Sequence, residues 1–236
     1  MSTHLNDLGQ PIGSPLPDWT PRPPPARVTL EGRTCRLEPL DPQRHADDLF
    51  AAYRAAPDGR DWTYLTVGPF DTLDDYRRHA ERAANSADPL HSAVIDRASG
   101  RAVGTLSLMR HDPANGVIEV GNVTFSPLLK RTPLSTEAHF LLMTYVFETL
   151  GYRRYEWKCD NLNAPSRKAA ERLGFTFEGI FRQAVVTKGR NRDTAWYALL
   201  DADWPPLQRA FQAWLAPENF DAQGQQRRSL SELRSR

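Results

Sequence analysis

The stretch DNLNAPSRKAAERLGFTFEGIFR, Asp160–Arg182, carries the signals for a short helix and for the strand that follows it. Asn163 belongs to a residue type favoured at helix starts, and Pro165 suits the first helical turn. Gly174 ends the periodic pattern, as glycine commonly does just beyond a helix. Asn163 and Ser166 lie three residues apart at the helix start. They could cap the helix, or the first turn could face a ligand, and this stretch alone allows both.

On either side of this stretch, the hydrophobic periodicity predicts an α+β order of elements. A strand and two helices come first, followed by three antiparallel strands joined by hairpins. A longer helix, a strand, the Asn163 helix and a final strand pair complete the order. The predicted strands are 33–40, 91–96, 102–110, 117–125, 153–159, 175–186 and 193–200, and the predicted helices are 41–55, 72–85, 135–151 and 164–174.

Three regions are predicted along the chain. Residues 1–27 form an extended arm, because Gly13–Ala26 holds six prolines, with Trp19 as its anchor. Residues 28–203 form the folded domain. Residues 204–236 form a last helix followed by a loose Gln- and Arg-rich tail.

Charge and cysteine content limit the classes of function. The net charge is only +1, but residues 38–88 hold six basic and eleven acidic groups, a net of −5, and residues 153–192 hold ten and four, a net of +6. One end of the domain should therefore attract cations and the other anions. Two cysteines, Cys35 and Cys159, exclude a disulfide framework and give no metal cluster. With no signal peptide and no apolar run long enough for a membrane span, we expect a cytoplasmic protein.

Several motifs together resemble the GNAT superfamily of acetyltransferases, closest to its ribosomal-protein N-terminal acetyltransferase branch. The likeness covers about Arg33 to Trp204. It rests on KRTPLSTEA from Lys130, on Asn163-x-x-Ser166-Arg167, on RLGF-x-x-EG-x-x-R from Arg172, and on GRNRDT from Gly189. The resemblance implies a single α+β domain with a mixed, mostly antiparallel central sheet, helices on both faces, and a splay at the acetyl-CoA site. It implies no metal.

The resemblance also implies the cofactor contacts. Acetyl-CoA would lie between the strands Val117–Phe125 and Arg154–Cys159. The family's pyrophosphate loop reads Gln/Arg-x-x-Gly-x-Gly/Ala, and Pro133 stands where it usually has glycine and offers no N–H. The residues implied to contact the cofactor are Phe125, Lys130, Arg131, Thr132, Leu134, Ser135, Thr136, Asn163 and Arg167.

Two residues are candidates for proton transfer. The resemblance places Ser166 near the thioester sulfur, where its hydroxyl could protonate the departing thiolate. Strand alternation puts Glu119, Gly121 and Val123 on one face. Glu119 among apolar neighbours should have a raised pKa, which suits a general base, although it could equally form a salt bridge to a neighbouring strand.

The acceptor side is less defined by the sequence. Trp62, Tyr64 and Phe70 flank an irregular segment that, by the resemblance, borders the acceptor cleft, but an aromatic cluster is more often core. A bulge near Asn122 could present strand amides to an oxyanion. Cys159 could act as a nucleophile, yet a buried position at a strand end is the simpler interpretation.

The predicted function is acetyl-CoA-dependent N-acetylation of a primary amine by direct attack. The acceptor could be a small molecule or a protein amino terminus, and the protein a monomer or homodimer with no membrane partner. An alternative is a catalytically silent acyl-CoA sensor in which Pro133 marks a degraded site. A third is nucleic-acid binding through residues 153–192 and the tail arginines Arg227, Arg228, Arg234 and Arg236, against which the near-neutral charge argues.

Overall fold

The computed structural model describes residues 4–234 and contains an eight-stranded sheet in the order β3-β4-β5-β6-β7-β8-β10-β9. Neighbouring strands are antiparallel except β7 and β8, which are parallel. The predicted mixed, mostly antiparallel α+β fold is therefore confirmed. The strands are His4–Leu5, Pro11–Ile12, Leu30–Glu31, Cys35–Pro39, Leu90–Asp96, Ala102–Asp112, Val117–Phe125, Arg154–Asp160, Thr176–Thr187 and Arg190–Leu200, numbered β1 to β10 in that order.

In the described part of the chain, six α-helices lie on the two faces of the sheet. One hydrophobic cluster joins α1 and α2 to the sheet through side chains such as Leu49 and Tyr76. A larger cluster joins α3, α4 and α5 to the other face, around Tyr155 and Phe211. The helices are Pro42–Arg54, Leu73–Ala84, Pro133–Thr144, Ala164–Leu173, Trp204–Leu215 and Leu230–Arg234, numbered α1 to α6 in that order.

The sheet opens between its two parallel strands. β7 and β8 pair only from Val117 opposite Arg154 to Val120 opposite Trp157. Beyond those residues β7 stays paired with β6 as far as Phe125, and β8 stays paired with β10 as far as Asp160. Each strand therefore keeps its outer neighbour while the two separate from each other, which forms the predicted splay.

Helix α3 differs from its prediction at both ends. It begins at Pro133, with Thr132 as the N-cap residue, whereas the sequence predicted a loop through Leu134. Proline is favoured at the first helical position because its fixed φ suits the helix and its missing N–H has no intrahelical partner there. The last turn, Tyr145–Thr149, widens into a π-helical turn before Gly151.

The amino-terminal arm is extended and attached to the domain. Trp19 Nε1 donates to the carbonyl of Ala114 at 2.9 Å, and the Arg22 guanidinium lies 4.4 Å from the Trp19 ring centroid. The amide of Ala26 donates to the hydroxyl of Tyr145 at 3.0 Å. The short hairpin formed by β1 and β2 was not predicted from the sequence.

The expectation of a loose tail is wrong for residues 217–234. Leu230 in α6 is 1% exposed and belongs to the larger core cluster. The Asn219 side chain bonds the carbonyls of Trp214 and Arg228 and the amide of Arg228, at 3.0 to 3.1 Å. Apolar contacts and a buried amide therefore hold a segment whose polar composition suggested disorder. No helix within residues 4–234 is long and apolar enough to cross a membrane.

Candidate active site

The loop after β7 leads from the wide end of the splay to the start of α3 and presents backbone donors. Within residues 4–234, the amides of Arg131, Thr132 and Leu134 have no hydrogen-bond partner, whereas the Ser135 amide donates to the Thr132 carbonyl at 3.2 Å. Unpaired N–H groups at a helix start, with the helix dipole behind them, form an anion site. Arg131 adds positive charge there, and Lys130, which pairs with Asp61, lies beside it, so this loop fits the pyrophosphate of CoA.

Pro133 removes one N–H donor from this site, although it costs α3 no hydrogen bond of its own. As the first residue of α3 it occupies a position where a helix has no carbonyl partner for an N–H. The loop turns instead at Arg131, which has a φ of 60°. The Thr132 hydroxyl donates to the Leu129 carbonyl at 2.7 Å, and the Ser135 hydroxyl to the Thr132 carbonyl at 2.7 Å. These two hydroxyls therefore shape the loop.

The first turn of α4 reaches the splay from the β8 side. Asn163 is the N-cap, and its side chain accepts from the Ser166 amide at 3.2 Å. The Ser166 hydroxyl accepts from Trp157 Nε1 at 3.0 Å. Ser166 is therefore not the cap, and its own O–H hydrogen must point elsewhere. Asn163 caps the helix as the simpler interpretation held, and its predicted CoA contact stays a prediction.

Arg167 already has partners within the protein. Its Nε donates to the Tyr197 hydroxyl at 3.1 Å and its Nη1 to Asn161 Oδ1 at 3.1 Å. The Tyr197 hydroxyl in turn donates to Glu171 at 3.2 Å. These contacts orient the turn between β8 and α4, so the geometry gives Arg167 a positioning role, and its contact with the cofactor stays a prediction.

Glu119 is buried, with 5% of its surface exposed, and pairs across the parallel strands. Lys158 Nζ lies 2.8 Å from Glu119 Oε2 and 2.6 Å from Glu156 Oε2, and Arg110 Nε lies 3.7 Å from Glu119 Oε2. Burial raises the pKa of Glu119, and the two cations act in the opposite direction with a smaller effect. The structure therefore shows the predicted salt bridge, and Glu119 also has the raised pKa that suits a base.

A β-bulge lies beside Glu119. Gly121 pairs with Ser107 and Thr124 with Thr105, so β7 has one extra residue between these pairs. Asn122 lies in the bulge with a φ of 49°. A Cβ on Gly121 would lie 3.7 Å from Glu119 Oε1 and 2.2 Å from Met109 Sδ, so any larger residue there would require the Met109 side chain to move. The predicted bulge exists, and the carboxylate reaches its edge.

The Asn122 side chain turns towards β6. Its Nδ2 donates to the Ser107 hydroxyl at 3.1 Å, and Ser107 donates to the carbonyl of Gly121 at 2.9 Å. These bonds hold the bulge in shape. The Asn122 side chain is therefore engaged within the protein. Its predicted contact with substrate would have to be made by the backbone of the bulge, and it remains a prediction.

Among the three predicted acceptor-side aromatics, only Tyr64 reaches the α4 loop. Its hydroxyl donates to the carbonyl of Leu162 at 3.2 Å. Trp62 is 7% exposed and belongs with half-buried Phe70 to the smaller core cluster. The core alternative therefore applies to Trp62. The segment between α1 and α2, which carries these aromatics, also contacts the pyrophosphate region, because its Asp61 forms an ion pair with Lys130.

Cys159 is a buried thiol whose pKa is raised by burial. A raised pKa lowers the thiolate fraction, which argues against a nucleophile. Cys159 therefore packs at the end of β8, in agreement with the simpler interpretation of the sequence. No group of three His, Cys, Asp or Glu side chains in the described part of the chain could hold a metal.

Three residues of this region were missed from the sequence. Lys158 links Glu119 to Glu156, Trp157 orients Ser166, and His139 of α3 lies between the rings of Phe125 and Trp157 at 5.5 and 5.3 Å. Burial lowers the pKa of His139 to about 3, so its imidazole is neutral. Strand alternation could have put Glu156 and Lys158 on one face, but their opposition to Glu119 depends on strand register.

A sheet opened between parallel strands, with an anion site at a helix start and a buried carboxylate beside a bulge, defines an acyl-CoA-dependent transferase. The model of the acetyltransferase (GNAT) domain family matches residues 35–176. The chain belongs to the GNAT acetyltransferase family, whose members use acetyl-CoA as the acetyl donor.

Three relatives show the extent of the likeness. The provisionally named ribosomal N-acetyltransferase YdaF of Bacillus subtilis is 31% identical over 71% of this chain and 90% of its own length. The crystal structure of a GCN5-related N-acetyltransferase from Brucella melitensis is 56% identical, covers 94% of this chain and all of its own, and has a TM-score of 0.92. That of a probable GNAT acetyltransferase from Chromobacterium violaceum is 40% identical, covers 83% and 97%, and has a TM-score of 0.76.

Proposed function

We propose that this chain acetylates the α-amino group of a peptide or protein by direct attack on acetyl-CoA within the splay. The observation that carries this proposal is the meeting of two features at one opening. Unpartnered amides at the start of α3 lie on one side, and the buried Glu119 carboxylate lies beside the bulge of β7. Holding donor and acceptor together there would remove much of the entropic barrier to reaction.

The donor would be held from both sides of the opening. The amides of Arg131, Thr132 and Leu134, with the charge of Lys130, would bind the pyrophosphate. Asn163 at the start of α4 would contact the pantetheine arm. Of the implied cofactor residues, Thr136 has its hydroxyl bonded to Arg172 at 3.0 Å, and Phe125 packs on His139, so both also shape the wall.

The state of Glu119 supports an α-amine acceptor over a lysine-like one. An α-amino group has a pKa of about 8, so about one in ten is neutral at pH 7, whereas for a lysine with a pKa of about 10.4 fewer than about one in a thousand is. A carboxylate that is ion-paired with Lys158 is a modest base. Such a base is sufficient for an α-amine acceptor but is much less effective for a lysine side chain. The provisional name of YdaF, a ribosomal N-acetyltransferase, agrees with this choice.

Proton transfer would involve two side chains. Glu119, directly or through water, would accept the proton of the attacking amine. The backbone of the bulge at Asn122 would stabilise the tetrahedral oxyanion. The Ser166 hydroxyl, which accepts from Trp157, would protonate the departing thiolate. Free thiols at Cys35 and Cys159 are consistent with the expected cytoplasmic location.

A matched peptide pair tests this function. One peptide has a free α-amine and a blocked lysine side chain, and the other has the same sequence with the blocks exchanged. We expect release of CoA thiol and acetyl mass gain with the first peptide, at a rate at least about tenfold above the second. Preference for the second peptide would overturn the α-amine assignment. CoA binding without transfer to any amine would favour the silent sensor.

A further inference from the structure

A cleft of about 320 Å³ lies between the end of α1, the loop that follows it and the start of α2. It is separate from the anion site at α3. The loop that forms one wall also contacts Lys130 and Leu162 of the splay, through Asp61 and Tyr64. Residues lining the cleft include Phe50, Tyr53, Arg54, Asp58, Trp62, Phe70, Asp71 and Tyr76.

Four aromatic rings form the floor of this cleft in a closed edge-to-face circuit. The ring centroids of Tyr53 and Trp62 are 5.3 Å apart, those of Trp62 and Phe70 are 5.4 Å apart, those of Phe70 and Tyr76 are 5.4 Å apart, and those of Tyr76 and Tyr53 are 5.6 Å apart. Interplanar angles of 70 to 89° place ring edges against ring faces. We call this set the aromatic floor. Phe70 is the least buried of the four and offers the most accessible aromatic surface, and such surfaces attract alkylammonium and guanidinium groups.

The floor is held in place from outside. Lys188, at the tip of the β9–β10 hairpin, donates to the carbonyls of Trp62 and Gly68 at 2.8 Å and of Val67 at 3.2 Å. A Cβ on Gly68 would lie 2.3 Å from the Trp62 ring, and its φ of 66° also requires glycine. Site rigidity of this kind reduces the ordering cost of binding.

The rim favours a cation. Helix α1 ends at Arg54, so the negative end of its dipole lies at the cleft. Asp58 is neutralised by a bidentate pair with Arg60, whereas Asp71 is exposed and has no hydrogen bond or ion pair within residues 4–234. Arg54 opposes a cation, but it is exposed and can turn into solvent.

The aromatic floor is connected to the transfer site. The Tyr53 hydroxyl donates to the carbonyl of Thr124 at 3.1 Å and lies 3.3 Å from the Thr105 hydroxyl. Thr124 ends the β7 bulge. This hydrogen bond links the floor to the backbone at the bulge, while the wall loop contacts the splay through Asp61 and Tyr64.

We propose that this cleft binds a cationic side group of the acceptor, an alkylammonium or guanidinium, and so selects basic acceptors. The link to the acceptor rests on the proposed acetyl transfer, whereas cation binding in the cleft does not. Recognition would combine the aromatic floor with Asp71 and the end of α1.

Choline and its neutral carbon isostere, 3,3-dimethylbutan-1-ol, test the cleft without any turnover, because neither carries a primary amine. With the native protein we expect upfield shifts of the choline methyl protons from ring currents, and binding about threefold to tenfold tighter than that of the neutral probe. Equal binding of the two probes, or none, would overturn the proposal, even if acetyl transfer were intact. Loss of transfer with choline binding intact would count against the proposed function instead.

Two charge variants should act in opposite directions. Asp71→Asn should weaken choline binding by about threefold, and Arg54→Gln should tighten it by a similar factor. Asp74→Asn is the matched control, because it makes the same change on α2 at a residue that does not line the cleft. If Asp74→Asn weakens choline binding as much as Asp71→Asn does, the effect comes from the overall negative potential of the region and not from the cleft. With a peptide substrate, choline should also raise the apparent KM and leave kcat unchanged.

Discussion

At the scale of single residues, the chemistry depends most on Glu119, where burial and ion pairing act in opposite directions. Burial raises its pKa, and Lys158 and Arg110 limit the rise. The same side chain is therefore a better proton acceptor than an exposed glutamate and still holds β7 against β8. A structural salt bridge and a base are thus compatible roles.

Glu119→Gln should reduce kcat/KM by about a hundredfold while CoA affinity holds, because general-base catalysis contributes at least that much. The loss should shrink as the pH rises towards about 8, where an α-amine deprotonates unaided. Glu156→Gln is the control, since it removes the other carboxylate bonded to Lys158. Wild-type rates in Glu119→Gln across the pH range would remove this carboxylate from the mechanism.

Ser166→Ala should lower kcat by at least about tenfold with little change in CoA affinity. It also leaves Trp157 Nε1 without its acceptor, which should lower the free energy of unfolding by about 1–3 kcal/mol. Trp157→Phe combined with Ser166→Ala removes that second effect. If stability falls in Ser166→Ala but kcat is unchanged, the serine only supports the tryptophan.

The sequence predicted these residues unevenly. Asn163 was recognisable as a helix start, because cap preference is local. The partner of Glu119 was not, because it depends on which residue of β8 lies opposite, and register is set by tertiary packing. The bonding of Ser166 to Trp157 spans nine residues and a strand-to-helix turn, beyond any local pattern.

At the scale of elements, Glu137 anchors the helix that carries the anion site. The carboxylate accepts from the amides of Arg33 and Thr34 at 2.7 Å and of Cys35 at 2.9 Å, and also from the Thr34 hydroxyl. Burial alone would raise the pKa of Glu137, but these hydrogen bonds outweigh it and lower the pKa. The turn before β4 therefore fixes the start of α3.

Glu137→Gln should lower the free energy of unfolding by about 2–4 kcal/mol at pH 7, because a buried carboxylate loses charge-assisted bonds and an amide NH₂ faces other donors. The folded-state pKa lies below the unfolded value of about 4.3, so this stabilisation is present above that pH and is lost as the pH falls through the folded pKa. Denaturant unfolding of both proteins at pH 7 and below pH 4 checks this. A difference independent of pH would contradict it.

The elements themselves were largely predictable. Strands β5, β6 and β7 matched closely, since turn residues at Ser99-Gly100 and Asn115-Gly116 separate alternating runs. The start of α3 was predicted two residues late, because Pro133 was interpreted as a loop residue and not as the first helical residue.

At the scale of the whole molecule, the tail completes the larger core cluster. Arg234 donates to the carbonyls of Glu171 and Arg172 at the end of α4, at 2.7 and 3.0 Å. One arginine of the nucleic-acid alternative is therefore engaged within the protein, while Arg236 lies outside the described residues. Composition alone could not reveal this, since α6 packs through the single buried side chain of Leu230 and its neighbours.

Leu230→Ala should lower the free energy of unfolding by about 2–5 kcal/mol, the usual cost of a cavity at a fully buried leucine. Denaturant unfolding monitored by tryptophan fluorescence measures it. A value near zero would mean that the tail is loose after all. Leu128→Ala, at a leucine that is 59% exposed, is the control.

Charge balance across the molecule was also only partly informative. Many acidic groups of residues 38–88 are already paired, as Asp47 is with Arg77 and Asp75 with Arg78. The net charge of −5 still gives this region a negative electrostatic potential. The sign of the potential at any one site, however, depends on which charged groups remain unpaired. Asp71 is such a group.

The measurement that tests the account most directly is the melting temperature with and without CoA. At a CoA concentration about a hundredfold above Kd, binding should add about 2.7 kcal/mol of stability and raise Tm by several degrees. Reversing charge in Lys130→Glu combined with Arg131→Glu should abolish most of that rise. If saturating CoA and acetyl-CoA both leave the native melting curve unchanged, the splay is not a donor site and the proposed function fails.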